Sequence, residues 1–219
     1  MTDGFTQMID DSNAFFAELK QNNTKDWFNP RKEQYNNNIK KPAELFAQIL
    51  GEDFSQISGI NHKPKVFRIY RDVRFSKDKT PLNAHLHMMW STGDAPFTPV
   101  FYFGSEPGSM VVGTGVVGLK GADLAKFRSM IDVDGDALVE AIASAGMETG
   151  HWGPPALKRV PAPYDQHHPH AELLCRKGLS IHCDVEDEWR DHKGGLTGAV
   201  KDHFRKAQAF RDVLAENLS

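Results

Sequence analysis

Between Arg68 and Pro81 the chain reads Arg68-Ile69-Tyr70-Arg71-Asp72-Val73-Arg74-Phe75-Ser76-Lys77-Asp78-Lys79-Thr80-Pro81, which places five cations and two carboxylates in the 12 residues from Arg68 to Lys79. Guanidinium groups are planar forks that grip phosphate or carboxylate through paired hydrogen bonds, and lysines add compact positive charge. The chemistry favoured by this spacing is the holding of a small anion by Arg68, Arg71, Arg74, Lys77 and Lys79, with Asp72, Asp78 and, from further along the chain, His168 in the same site. Two other chemistries use the same residues. An enzyme would employ Asp72 or Asp78 as general base or metal ligand, together with His168, whose imidazole titrates near neutral pH. A structural or partner-binding segment would pair every charge internally in a buried salt-bridge network. An anion site differs from such a network in needing a concave pocket with the cationic ends free.

Other residues invite chemistry less strongly. His85 and His87 fall on one face of an expected strand, and His167, His168 and His170 cluster in one loop, yet no His-Glu-x-x-His helix and no paired-cysteine spacing accompanies them. No metal is expected, and no cofactor is indicated. Gly113-Thr114-Gly115-Val116-Val117-Gly118 matches the letters of a dinucleotide fingerprint, but without a helix opening inside the glycines and an acidic strand end about 20 residues on, it reads as a glycine-rich strand or bulge where backbones approach closely. Trp27-Phe28 reads as packing at the junction of the first two helices, with an aromatic ligand platform as the alternative. Neither a Gly-x-Ser-x-Gly nucleophile turn nor a phosphate-binding Gly-Lys-Ser/Thr loop is present.

Helices at both ends must position this central segment. Asp11-Ser12-Asn13 offers caps for a helix whose Phe15, Phe16 and Leu19 share a face, ending near Asn22-Asn23. Asn29-Pro30 opens a second helix through Tyr35 and Ile39 that stops or bends at Pro42. Period-two patterning then predicts strands over Lys65 to Phe75, Leu82 to Trp90, Phe97 to Phe103 and Met110 to Val117, with a hairpin turn at Ser105-Glu106-Pro107-Gly108. In the first of these, Phe67, Ile69, Arg71, Val73 and Phe75 form the core face, and Arg68, Tyr70, Asp72 and Arg74 the other. Helical spacing returns over Asp123 to Ile131 and Asp136 to Ala145, which Gly146 ends. A proline-rich crossing from Thr149 to Pro169 precedes a strand at Leu179 to Val185 and one long amphipathic helix from Leu196 to Leu218. The fold class expected is α+β: a single domain over residues 1–219, with one antiparallel sheet of four to six strands covered by helices from both chain ends.

The string Arg68-x-x-Arg71-Asp72-x-Arg74-Phe75-x-x-Asp78-Lys79-Thr80-Pro81 resembles the defining motif of the uncharacterised bacterial family DUF2461. The resemblance extends over nearly the whole chain, through Leu19-x-x-Asn22-Asn23-x-x-x-Trp27-Phe28 with Tyr35 and Pro42, Gly113 and Gly115 followed by Leu124 and Arg128, and Pro161-x-x-Tyr164-x-x-x-His168-Pro169-x-x-Glu172-Leu173-Leu174. It implies one domain and a shared site, and carries no reaction, substrate or cofactor with it. The chain departs from the family pattern at Leu82, where tyrosine is usual, and at Asn83, where lysine is common. That departure implies a ligand bound differently or more weakly.

Composition bounds the rest. The 219 residues carry 26 Lys+Arg against 29 Asp+Glu, a formal charge of -3, so no global basic field exists to draw nucleic acid. Two cysteines, Cys175 and Cys183, are too few for a disulfide framework and read as free thiols. No apolar run approaches the roughly 20 residues of a membrane span, and Met1 to Asp11 has neither the basic nor the apolar region of a secretion signal. The expectation is a cytoplasmic protein whose partner is a small anionic ligand, with no nucleic acid and no membrane.

Overall fold

The computed structural model describes residues 4–93, 98–150, 152–185 and 187–218. Helix α1 spans Phe5–Gln21 because Met8, Ile9, Ser12, Phe15, Phe16 and Leu19 recur at spacings of three and four, and all six are buried. It begins well before the expected caps. Asp11, Ser12 and Asn13 lie inside the helix, since the apolar stripe upstream of them outweighs their preference for turns.

A run of helical turns follows. The Thr24 side chain accepts a hydrogen bond from the Trp27 N–H at 3.2 Å and starts α2, Lys25–Phe28. A 3₁₀ turn at Asn29–Arg31 then leads into α3, Lys32–Tyr35. One wide π turn, Asn36–Lys40, precedes α4, Lys41–Ser58. Pro42 does not stop the run, because it sits in the first turn of α4 where its missing N–H is not needed. Gly59, with φ 72°, closes α4 in the left-handed conformation.

Six strands form one antiparallel sheet in the order β1-β2-β3-β4-β6-β5. They are β1 Lys63–Val66, β2 Leu86–Ser91, β3 Val100–Glu106, β4 Ser109–Val117, β5 Glu148–Thr149 and β6 Gly178–Asp184. The expected hairpin turn joins β3 to β4 through Pro107 and Gly108, the latter at φ 83°. Phe97, the expected start of β3, lies outside the described residues. The remaining helices are α5 Gly121–Ala145, α6 Ala171–Cys175, α7 Gly195–Lys206 and α8 Gln208–Leu218. The two helices expected around residue 133 are the halves of α5, which kinks at Asp134 (φ -147°, ψ 49°). The single C-terminal helix expected is interrupted at Ala207, across which the bonds from Ala207 N–H to His203 O and Arg211 N–H to Ala207 O persist at 3.1 Å each.

The described residues divide into two compact units, one of residues 1–90, 102–112 and 184–202, the other of residues 91–101, 113–183 and 203–219. In the first unit Phe46, Leu50, Phe54, Leu86, Met88 and Trp90 are buried, and the Trp90 indole N–H donates to the Ala47 carbonyl of α4 at 2.8 Å. The second unit is organised around Phe127, Ile131, Leu138, Leu174, Ile181 and Phe210. No helix among the described residues is long and apolar enough to cross a membrane.

Candidate functional site

The charged motif is the connection between β1 and β2. Regular strand ends at Val66, yet the two sides stay paired through Phe67 N–H to His87 O at 2.9 Å, Asn83 N–H to Ile69 O at 2.7 Å and Arg71 N–H to Pro81 O at 2.9 Å. A lone bridge joins Tyr70 and Leu82. Pro81 has no N–H to return a bond, so the ladder cannot continue past Arg71. Beyond it, acidic side chains replace sheet partners: Asp72 Oδ1 accepts the Arg74 N–H at 3.3 Å, and Asp78 Oδ1 accepts the Thr80 N–H at 2.9 Å. Asn23 fastens the base of the loop from α1's end, donating to Leu82 O at 2.8 Å and accepting from Leu82 N–H at 3.1 Å.

This geometry corrects the two-faced strand. Ile69 is buried as expected, but Phe67 is 43% exposed and Phe75 is 95% exposed at the loop tip. Alternation fails because residues 72–80 are not extended against a neighbour; turns at both aspartates break the period.

Three of the five cations are engaged by the loop itself. Arg74 grips Asp72 with both arms of its fork, Nε to Oδ1 at 2.9 Å and Nη2 to Oδ2 at 2.7 Å. Arg71 Nη1 donates to Asp78 Oδ2 at 2.6 Å, to the Thr80 carbonyl at 3.1 Å and to the Thr80 hydroxyl. Lys79 Nζ donates to the Val73 carbonyl at 2.9 Å. These bonds hold both carboxyls in the charged form. The Arg74 fork lowers the Asp72 pKa, and the Thr80 backbone N–H followed by the Arg71 guanidinium brings Asp78 down to about 2. The network is on the surface, with the Asp72, Asp78 and Arg74 side chains 42%, 59% and 77% exposed. Arg68 and Lys77 make no side-chain hydrogen bond or ion pair among the described residues, although the Arg68 charge helps lower Asp72. The two positions that depart from the family pattern serve the backbone: Leu82 is buried, and Asn83 Nδ2 donates to the Arg68 carbonyl at 3.1 Å.

Arg68 lines a cavity of about 430 Å³ together with Lys32, Lys40, Glu44, Tyr35 and Tyr70. Lys32, Asn36 and Lys40 stand four residues apart across α3 and the π turn, and all three reach this wall. Wide turns of this kind recur at functional sites because they re-aim side chains within a helix. Tyr35 is buried among Phe15, Phe16 and Phe28, with ring centroids 5.6–6.5 Å away. Burial first, then the Glu44 carboxylate and Tyr70, pushes its phenol up to about 12. Lys32, Lys40, Tyr35 and Glu44 were outside the residues singled out as site candidates, since a lysine row at helical spacing looks like any solvated face. Phe28 proves to be both packing, at 1% exposure, and part of the cavity wall.

The other candidates resolve individually. His168 belongs to the second unit, where its Nε2 lies 3.5 Å from Asp132, and His170 Nε2 lies 3.0 Å from Asp136 on the next turn of α5. The His170 ring also packs so tightly on Gly135 that a Cβ there would stand 2.3 Å from it. His85 and His87 do share a face and stack at 3.8 Å between centroids. No group of three or more His, Cys, Asp or Glu side chains able to hold a metal occurs among the described residues. Gly115 lies inside β4 with φ 148°, where a Cβ would come 2.2 Å from the Leu179 carbonyl of β6, so the glycine run serves strand approach.

No curated protein matches the chain. The family described as conserved hypothetical protein, DUF2461, matches residues 11–212, spanning the motif loop, the cavity helix and both halves of α5. The chain therefore belongs to the DUF2461 family.

Proposed function

We propose that the protein binds a small anion, phosphate or carboxylate, in the cavity where Arg68 meets Lys32 and Lys40. The observation that carries this reading is the division of labour in the motif: Arg71, Arg74 and Lys79 hold the loop in shape, while the Arg68 side chain has no hydrogen-bond or ion-pair partner among the described residues and lines a concave site with two lysines. Asp72 and Asp78 are each saturated by a guanidinium or a backbone N–H and kept ionised, which favours a role in bracing the site over one in proton transfer. The reading includes a cytoplasmic setting, in keeping with two cysteines, Cys175 and Cys183, that are not joined in a disulfide.

The test is a thermal-shift and calorimetric titration with inorganic phosphate, sulfate and citrate. Wild-type protein is expected to show saturable stabilisation, about 2.7 kcal/mol at 100 times the dissociation constant. Arg68→Ala should lose it while melting within a degree or two of wild type without ligand. Arg74→Ala should keep at least part of it. An Arg68→Ala protein that retains the full shift would move the site elsewhere, and an absence of shift with every anion would end the proposal.

A further inference from the structure

Around Arg68 the cations form one part of the cavity wall; the remainder is aromatic and hydrogen-bonding. Lys32, Lys40 and Arg68 face one carboxylate, Glu44, so the wall has a surplus of two positive charges. That surplus matches a phosphate monoester, which carries about -1.5 to -2 at neutral pH, better than a single carboxylate. Lys40 keeps Glu44 only loosely, at 3.7 Å, which leaves the carboxylate oxygens able to accept from a guest.

Tyr35 is the unusual member of this wall. Its ring is 5% exposed and packed in an aromatic cluster, a setting that phenylalanine would fill as well. Its hydroxyl makes no hydrogen bond among the described residues, and the residue borders the cavity. The hydroxyl is not among the fully buried polar atoms that lack a partner, so it opens onto the cavity, where it can donate to whatever the cavity holds. With its pKa pushed up, the phenol remains a neutral donor at any physiological pH. Glu44 supplies acceptors and Asn36 an amide that does both, and a ligand hydroxyl is the group that both donates and accepts. Tyr70, 40% exposed and set edge-on to Phe28 at 5.8 Å, and Phe67, 43% exposed, add aromatic surface for C–H groups.

We infer that the ligand is a phosphorylated polyol of sugar-phosphate size, its phosphate on Arg68, Lys32 and Lys40 and its hydroxyls on Tyr35, Glu44 and Asn36. This inference rests on the reading of the cavity as an anion site. It adds the ligand class and assigns Tyr35 to the recognition of hydroxyls.

Calorimetric titration of the full chain with ribose 5-phosphate, glucose 6-phosphate, ethyl phosphate and unphosphorylated glucose tests it. At least one sugar phosphate should bind tenfold or more tightly than ethyl phosphate, with no detectable binding of glucose. Tyr35→Phe should bring that sugar phosphate to within about twofold of ethyl phosphate and leave ethyl phosphate unchanged. Glu44→Gln, a substitution at a surface-lying side chain, should act in the same direction on the sugar phosphate and not weaken ethyl phosphate. Equal affinity of sugar phosphates and ethyl phosphate in the wild type would overturn the inference and leave the anion site standing. Failure of every phosphate to bind, or glucose binding as tightly as its phosphate, would overturn the anion site and the inference with it.

Discussion

At the scale of single residues, the motif separates into side chains that shape a loop and one that faces a cavity. Two arginines of the same motif differ completely: the Arg74 side chain is clamped on Asp72 by three bonds, and the Arg68 side chain makes none among the described residues. The same separation governs the aromatics. Phe75 is 95% exposed, so Phe75→Ala should change stability by no more than about 0.5 kcal/mol. Phe28, 1% exposed and ringed by Phe15, Tyr35 and Tyr70, should cost about 3–5 kcal/mol on truncation to Ala. Urea denaturation of both variants checks the pair, and a Phe75→Ala protein as unstable as Phe28→Ala would show that the loop tip is packed in solution. The carboxylate-to-guanidinium pairing was legible in the sequence as one of its readings. Which arginine stayed free was not, because strand alternation assigned Arg68 and Arg74 to one face and the turns at Asp72 and Asp78 abolished the strand.

At the scale of elements, glycine and histidine report how tightly the sheet is built. Gly115 combines φ 148° with a Cβ position 2.2 Å from the Leu179 carbonyl on β6. Gly115→Ala should therefore cost about 2–5 kcal/mol, from backbone strain and overpacking together, measured by chemical denaturation. Gly59→Ala, with open space around the Cβ, should cost less, on the order of 1 kcal/mol for the left-handed φ alone. His87 carries a pH dependence. Part of the residue is exposed, yet its ring stacks under His85 and lies against Gly104, and this desolvation, aided by the His85 charge, brings its pKa down to about 4. The folded state thus prefers neutral imidazole while the unfolded chain protonates near 6.5. The stabilisation is complete above pH 6.5 and is lost as pH falls towards 4. The melting temperature of the wild type should fall between pH 7 and pH 5, and His87→Gln should flatten that fall; an unchanged slope would assign the acid sensitivity to other groups.

At the scale of the whole molecule, a formal charge of -3 surrounds a cavity whose wall has a surplus of positive charge. Attraction of an anion is then local and partly exposed to solvent, so it should weaken with salt. Phosphate affinity is expected to drop by about an order of magnitude between 0.01 M and 1 M salt, as the Debye length contracts from about 30 Å to about 3 Å. Affinity independent of salt would mean that neutral hydrogen bonds, rather than Arg68 and the lysines, hold the ligand. The sequence by itself determined the α+β class, the β3–β4 hairpin at Pro107-Gly108, the close strand approach at Gly115 and the charge-rich motif, because each is written in local periodicity, turn chemistry or composition. Only the tertiary structure decided that α1 runs through Asp11–Asn13, that Phe75 points to solvent, and that Lys32, Tyr35 and Lys40 border the same cavity as Arg68. The physical reason is that these outcomes depend on partners distant in the chain. Asn23 anchors Leu82 across 59 positions, and the π turn at Asn36–Lys40 turns a lysine row that reads as a solvated helix face towards a strand end.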